Sequence, residues 1–228
     1  MEGLIMRDRC PIIFDLDGTL IDSAPDIHAC VNAVLRQHQV PPLPLPRVRS
    51  FIGGGVELLW TRIIAACHID PVHRPTLIAG FMARYHDATA LTRVFPGVVE
   101  ALGALSDAGH PLGICTNKPL VPTRHVLDHF GLAHLFPVVV GGDSLPQRKP
   151  DPAPLRLAFQ QFGCDPAVPR GLFVGDSEFD AHCAAAVPVP LLLYSGGYRM
   201  TAVEDLPHQA IFDRFDQLPD LVGAAIAA

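Results

Sequence analysis

The sequence predicts an α/β fold, a parallel sheet core interrupted by a helical insert. After residue 95, short apolar runs alternate with helical patterns, as successive strand–helix units do. These runs are apolar throughout rather than at every second residue, which suits strands covered on both faces. Residues 23–90 differ, carrying helical spacing and no strong strand run.

The elements follow in order. "PIIFDLDGTLID" (11–22) gives the first strand and ends it in two aspartates. Ile27, Val31, Val34 and Leu35, then Leu58, Leu59, Ile63 and Ile64, recur at helical spacing within the insert. Between them "VPPLPLPRV" (40–48) holds four prolines and predicts a stiff extended loop in place of helix. Further strands are expected at 111–116, 137–143, 171–176, 189–194 and 210–215. Helices are expected at 98–108, 120–130, 153–162, 178–186 and 217–226. The division is a core of residues 1–22 and 91–228 with an insert of 23–90, hinged near Asp22–Ser23 and Thr92–Gly97.

Composition narrows the function. The chain has 228 residues, 49% hydrophobic and 18% charged, and a net charge of −6. With no basic run, nucleic acid is excluded as a partner. Cys10, Cys30, Cys67, Cys115, Cys164 and Cys183 are scattered without a CxxC pair, reading as free thiols of a reducing compartment. The N-terminal stretch carries Glu2, Arg7, Asp8 and Arg9 and lacks the apolar core of a signal peptide. No run approaches the ~20 apolar residues that span a bilayer. The expectation is a soluble cytoplasmic protein with no membrane partner, monomer or homodimer. Of 17 basic residues only Lys118 and Lys149 are lysine.

Polar residues gather at the predicted strand ends. Asp15 and Asp17 close the first strand, and Thr116 and Asn117 close the second. Lys149 follows the third; Gly175, Asp176 and Ser177 close the fourth, with Asp180 one turn into the next helix. Ligands of open α/β sheets bind at that edge. Two carboxylates two residues apart on a strand share a side and resist joint ionisation. Such a pair calls for a cation between them or for chemistry that uses both.

In order and spelling, "DLDGT", "TNKP", "RKPDP" and "GDSEFD" resemble the haloacid dehalogenase superfamily, specifically its magnesium-dependent phosphatases. "DLDGTLIDSAPDI", "FIGGG", "GGDSLPQRKPDP" and "YSGGYR" look like its phosphoglycolate phosphatase branch. The resemblance implies a Rossmann-like core with a helical cap, a small phosphorylated metabolite as substrate, and Mg²⁺ as cofactor. Mg²⁺ takes hard oxygen ligands, here Asp15, Asp176 and, by the resemblance, the Asp17 main-chain carbonyl. Asp15 would attack phosphorus to form an aspartyl phosphate, its pKa held low by metal and Lys149. Asp17 would protonate the leaving oxygen and then activate water. Thr116 and the amides near Gly18 and Asn117 would hold phosphate oxygens, and Lys149, oriented by Asp180, would neutralise charge. Gly53, Gly54 and Gly55 form a cap loop facing the site, where Arg49 or Arg62 adds charge.

Other readings weigh less. A sugar phosphatase or β-phosphoglucomutase-type phosphomutase resembles the chain, but the mutases carry an arginine where this segment reads "GGGVELL". A dehalogenase would not need Asp17 or Asp176. An aspartyl-phosphate signalling module shares the acidic pocket, but lacks Asp17 and a long insert. A silent metabolite-binding relative would be missing a station, and none is missing. His125 and His129 have zinc-ligand spacing, but "HVLDH" lacks the HExxH glutamate and a third ligand. Lys118 reads as a rim residue. One departure concerns Ala186-Val187, which stands where family members carry Ala-Gly at a helix end.

Overall fold

In the computed structural model, residues 9–165 and 167–227 are described; Glu2, Arg7 and Asp8 lie outside them. Ile12–Phe14 form β1 at the middle of the main sheet. Two-residue strands β2 (Ile21–Asp22) and β3 (Arg93–Val94) bracket the insert. Next come β4 (Leu112–Cys115), β5 (Val138–Val140), β6 (Leu172–Gly175), β7 (Leu191–Tyr194) and β8 (Ala210–Phe212). The main sheet has the order β5-β4-β1-β6-β7-β8, parallel throughout.

Alternation along β1 divides the core. Ile12 and Phe14 join Ile114, Val174 and Leu192 on one face, covered by α5 (Val98–Asp107), α6 (Leu120–His129) and α9 (Leu218–Ala227). Ile13 joins Cys115, Phe173 and Leu193 on the other, covered by α7 (Ala153–Gln161) and α8 (Glu178–Ala186). Burial on both faces is why these strands read as unbroken apolar runs. Phe14 pairs in register with both Ile114 and Val174. The residues that follow β1, β4 and β6 therefore emerge side by side.

The insert contributes α1 (Ala24–Gln37), α2 (Leu45–Arg49), α3 (Gly55–Ala66) and α4 (Arg74–Tyr85). They pack on one another around Val31, Val34, Leu35, Trp60, Ile63 and Phe81, a cluster separate from both sheet faces. At the base, β2 and β3 pair antiparallel, Ile21 opposite Val94. The buried Asp26 carboxylate accepts from Leu91 N, Thr92 N and Thr92 Oγ1 at 2.7–3.0 Å.

Two expectations about local structure change. The proline run does not stay extended, because Leu45–Arg49 turn into α2 with Pro46 in the first turn. An amide there has no intrahelical partner, so a proline costs nothing. The glycine-free end of α8 is made by Val187 at φ −94°, ψ −3°, its N–H bonded to Ala184 O and Cys183 O. Val187 itself needs no glycine, and the positive φ of this helix end falls on Pro188, at +27°. Among the described residues no helix is long and apolar enough to cross a membrane.

Candidate active site

Asp15 leaves β1 with its N–H bonded to Val174 O at 2.9 Å, after which the chain reverses at once. Leu16 O accepts from Thr19, Leu20 and Ile21, and Gly18 takes φ +92°. A Cβ on Gly18 would stand 2.6 Å from Asp176 Oδ2, so a second reason for glycine here is the close approach of that carboxylate. Thr19 Oγ1 donates to Asp176 Oδ1 at 2.6 Å, and Tyr198 N donates to Oδ2 at 2.6 Å. The first loop and the segment after β7 thus hold Asp176 from two sides.

Each aspartate of the DLD pair has its own lysine. Lys149 Nζ lies 2.6 Å from Asp180 Oδ1 and 2.9 Å from Asp15 Oδ1. The approach to Asp15 suits an ion pair but is poorly aligned for a hydrogen bond, and this buried oxygen has no other donor among the described residues. Asp180 Oδ2 accepts from Ser177 Oγ, Ser177 N and Asp176 N at 2.6–3.2 Å. Asp180 therefore starts α8 and orients Lys149 at the same time. Asn117 sets the lysine's main chain: Oδ1 accepts from Lys149 N at 3.0 Å, and Nδ2 donates to Lys149 O and to Gly53 O, each at 2.9 Å.

Lys118 pairs with Asp17. Its Nζ is 3.3 Å from Asp17 Oδ1 and donates to the Tyr85 hydroxyl. Asp17 also accepts from Ser23 Oγ at 2.6 Å and Tyr85 OH at 3.4 Å. Lys118 is 6% exposed, so it is an interior residue and not the rim residue expected from the sequence.

Burial dominates the electrostatics. It pushes the Asp15 carboxyl up to about 6; Lys149 pulls it back only in part, and Asp180 adds repulsion. Asp176 is driven well above the carboxylate range by burial, then by Asp180 and Asp15. The expectation that Lys149 keeps Asp15 low is thus corrected for the metal-free chain, where desolvation outweighs one ammonium. Burial would depress Lys149, but Asp15 and Asp180 together reverse the sign and raise it.

Asp15, Asp176 and Asp180 offer carboxylate oxygens within 4.8 Å of one another. The acids are hard oxygen donors, mutually repelling, with one oxygen poorly served. That set fits a divalent cation that prefers oxygen ligands. Asp180 already meets Lys149 and three donors from Asp176 and Ser177, which leaves Asp15 and Asp176 as the natural pair. His125 and His129 belong to no metal-ligand group among the described residues.

A partly open cavity lies above these residues. Asp15, Asp17, Thr116, Asn117 and Lys118 line its sheet side, and Gly53, Gly55, Leu59, Phe81 and Tyr85 its insert side. Three expected contributions are absent. The Gly18 amide donates to Ile21 O at 2.9 Å and is not free for phosphate. Gly54 is off the lining, and a Cβ there would meet Leu58 of its own helix. Arg49 pairs with Asp22 at 3.1 Å and Arg62 donates to Phe51 O, both away from the cavity. Sequence reasoning missed Lys118 and Tyr85. The scarcity of lysine that singled out Lys149 applied equally to Lys118, whereas nothing in the sequence marks Tyr85.

A Rossmann-like core with carboxylates at the ends of β1 and β6 and lysines after β4 and β5 defines a hydrolase class. The haloacid dehalogenase-like hydrolase family matches residues 12–193, and the chain belongs to it. The chain is 45% identical to a phosphoglycolate phosphatase of Cereibacter sphaeroides over 219 residues, covering 95% of this chain and 99% of that one. It is 41% identical to the phosphoglycolate phosphatase of Rhodobacter capsulatus, covering 92% and 95%. A crystal structure described as a predicted phosphoglycolate phosphatase from Haemophilus somnus superposes with a TM-score of 0.88 at 31% identity, covering 95% and 99%.

Proposed function

We propose that the protein is a Mg²⁺-dependent phosphomonoester hydrolase that prefers 2-phosphoglycolate and works through an aspartyl phosphate on Asp15. The observation that carries this reading is the division of labour in the DLD pair. Asp15 sits with Lys149 and the buried acids, while Asp17 turns to a separate lysine and both face one small cavity. A phosphate dianion repels nucleophiles, so positioning and charge neutralisation carry its hydrolysis.

In this reading Asp15 attacks phosphorus, with the Lys149 ammonium 2.9 Å from its Oδ1. Asp17 gives its proton to the departing alkoxide and later takes one from the hydrolytic water. Thr116 Oγ and the Asn117 amide hold phosphate oxygens, and Lys149 faces the charge that grows in the transition state. Asp15, Asp176 and the Asp17 main-chain carbonyl would hold Mg²⁺, which when bound supplies charge neutralisation at the phosphoryl oxygens. Residues 23–90 act as a cap that excludes water, the DLD site being closed by Gly53, Leu59, Phe81 and Tyr85.

The test is a panel of phosphate esters with and without chelator. The expected result is a kcat/KM for 2-phosphoglycolate well above those for glucose 6-phosphate and β-glucose 1-phosphate, lost in EDTA and restored by Mg²⁺. A hexose phosphate turned over more efficiently than phosphoglycolate would overturn the substrate assignment. Full activity in chelator would overturn the metal.

A further inference from the structure

Resting on the phosphatase reading, we infer that Lys118, backed by the Tyr85 hydroxyl, recognises a second acidic group on the substrate. It thereby selects compact phosphate esters that carry a carboxylate beside the ester oxygen.

Lys118 is the one cationic side chain among the described residues lining the cavity. Its ammonium is less fully matched than that of Lys149. Lys149 meets two carboxylates at 2.6 and 2.9 Å. Lys118 meets one, at 3.3 Å, and the same Asp17 oxygen already accepts a 2.6 Å hydrogen bond from Ser23. Charge-assisted bonds normally run at about 2.7–2.9 Å. An ammonium has three donors; here one goes to Asp17 and one to Tyr85, and no third acceptor is bonded among the described residues. A buried cation with a long partner and a spare donor gains from an additional anion.

The insert wall offers no competing cation. Ile27, Ile52, Val56, Leu59 and Phe81 present apolar surface to the cavity. Arg49 and Arg62 are committed to Asp22 and Phe51 O. A substrate carboxylate placed against that wall would lose its hydration with nothing in return, so it must turn to Lys118. Position fixes how far it reaches. Asp17 serves the leaving oxygen, and Lys118 Nζ is 3.3 Å from Asp17. The group that Lys118 can reach is therefore one or two bonds beyond the leaving oxygen, as in an α-phosphono-oxy acid. A hexose phosphate places only uncharged ring carbons and the ring ether oxygen there, with neutral hydroxyls one bond further.

The experiment compares 2-phosphoglycolate with ethyl phosphate, similar in size but without the carboxylate, in the wild type and in Lys118→Met. Circular dichroism and the thermal midpoint establish that the variant is folded. The expected result is that the ratio of the two kcat/KM values falls by about 30-fold or more, mainly through KM for phosphoglycolate. Equal losses on both esters would mean that Lys118 acts only by holding Asp17, and would overturn the inference while leaving the phosphatase reading standing. A wild type with no preference for phosphoglycolate over ethyl phosphate would overturn the inference and the substrate assignment together. If the methionine variant does not fold, Lys118→Gln, which keeps a donor but no charge, replaces it under the same outcomes.

Discussion

On the sheet side of the cavity, Asp180 accepts from Lys149, Ser177 and Asp176, Asp176 from Thr19 and Tyr198, and Asn117 grips Lys149 at both N and O. On the insert side, Ile52, Val56, Leu59 and Phe81 present aliphatic and aromatic side chains, with Tyr85 as the polar exception. One wall fixes charges through many short bonds, while the other sets shape. Losing a partner on the first leaves a buried charge exposed to its like; losing a methyl on the second only enlarges the space. Damage to the sheet side should therefore abolish chemistry or folding, and damage to the insert side should redistribute substrates.

The largest effect is expected from Asp15→Asn, which removes the nucleophile and one metal ligand. kcat should fall by at least about 10⁴-fold with an unchanged circular dichroism spectrum. A folded variant retaining a tenth of wild-type activity would sink the covalent mechanism. Next comes Lys149→Met, which leaves Asp15 and Asp180 facing each other without their cation. Breaking a buried pair on one side costs about 3–5 kcal/mol, to be read in urea unfolding at pH 7.5. A loss below about 1 kcal/mol would mean that the ammonium is not what holds these acids together.

A third effect follows from the raised carboxyl of Asp15. Its folded pKa of about 6 exceeds the ordinary value, so the folded chain keeps a proton that the unfolded chain releases. In EDTA, stability should therefore fall as pH rises from about 4 to about 6, with Asp176 extending the fall upward. Mg²⁺ should raise the thermal midpoint more at pH 7.5 than at pH 4.5. A midpoint in chelator that climbs across that window would refute the desolvation account of these acids.

On the insert wall, Val56→Ala should raise kcat/KM for hexose phosphates by about 3- to 10-fold while leaving kcat on phosphoglycolate within threefold. A collapse in kcat would show that this wall takes part in chemistry. The smallest effect is expected from Arg49→Ala. Its ion pair with Asp22 is 41% and 29% exposed, and pairs of that kind contribute about 0–1 kcal/mol. KM for phosphoglycolate should change by less than twofold, whereas a tenfold rise would restore Arg49 as a substrate-binding cation.

The same contrast explains what the sequence made legible. Asp15, Asp17, Thr116, Lys149, Asp176 and Asp180 could be found because each follows a strand whose apolar run is unmistakable. In-register parallel pairing then brings strand ends together wherever the runs lie in the chain. β2 and β3 escaped notice because two residues are too few for a period to show. α2 was hidden because a proline prohibition was applied to a first turn, where it does not hold. Lys118 and Tyr85 meet only through tertiary packing, Tyr85 being brought to Lys118 by stacking on Phe81 at the end of α4. The Gly18 amide shows the converse: the DLDGT spelling marks the loop, but only the fold shows that its N–H is already taken by Ile21 O.

Both lysines of the chain are buried at this site, 6% and 3% exposed, Lys118 lining the cavity and Lys149 paired with Asp15 behind it, and the other basic residues among the 17 are arginines. The outer surface of the folded protein therefore offers no side-chain primary amine. Reagents and enzymes that modify lysine side chains have nothing to grip until the chain opens. Labelling read at the lysine side chains becomes a direct reporter of opening at this site, and phosphate bound in the cavity should slow the labelling of Lys118 and Lys149 together.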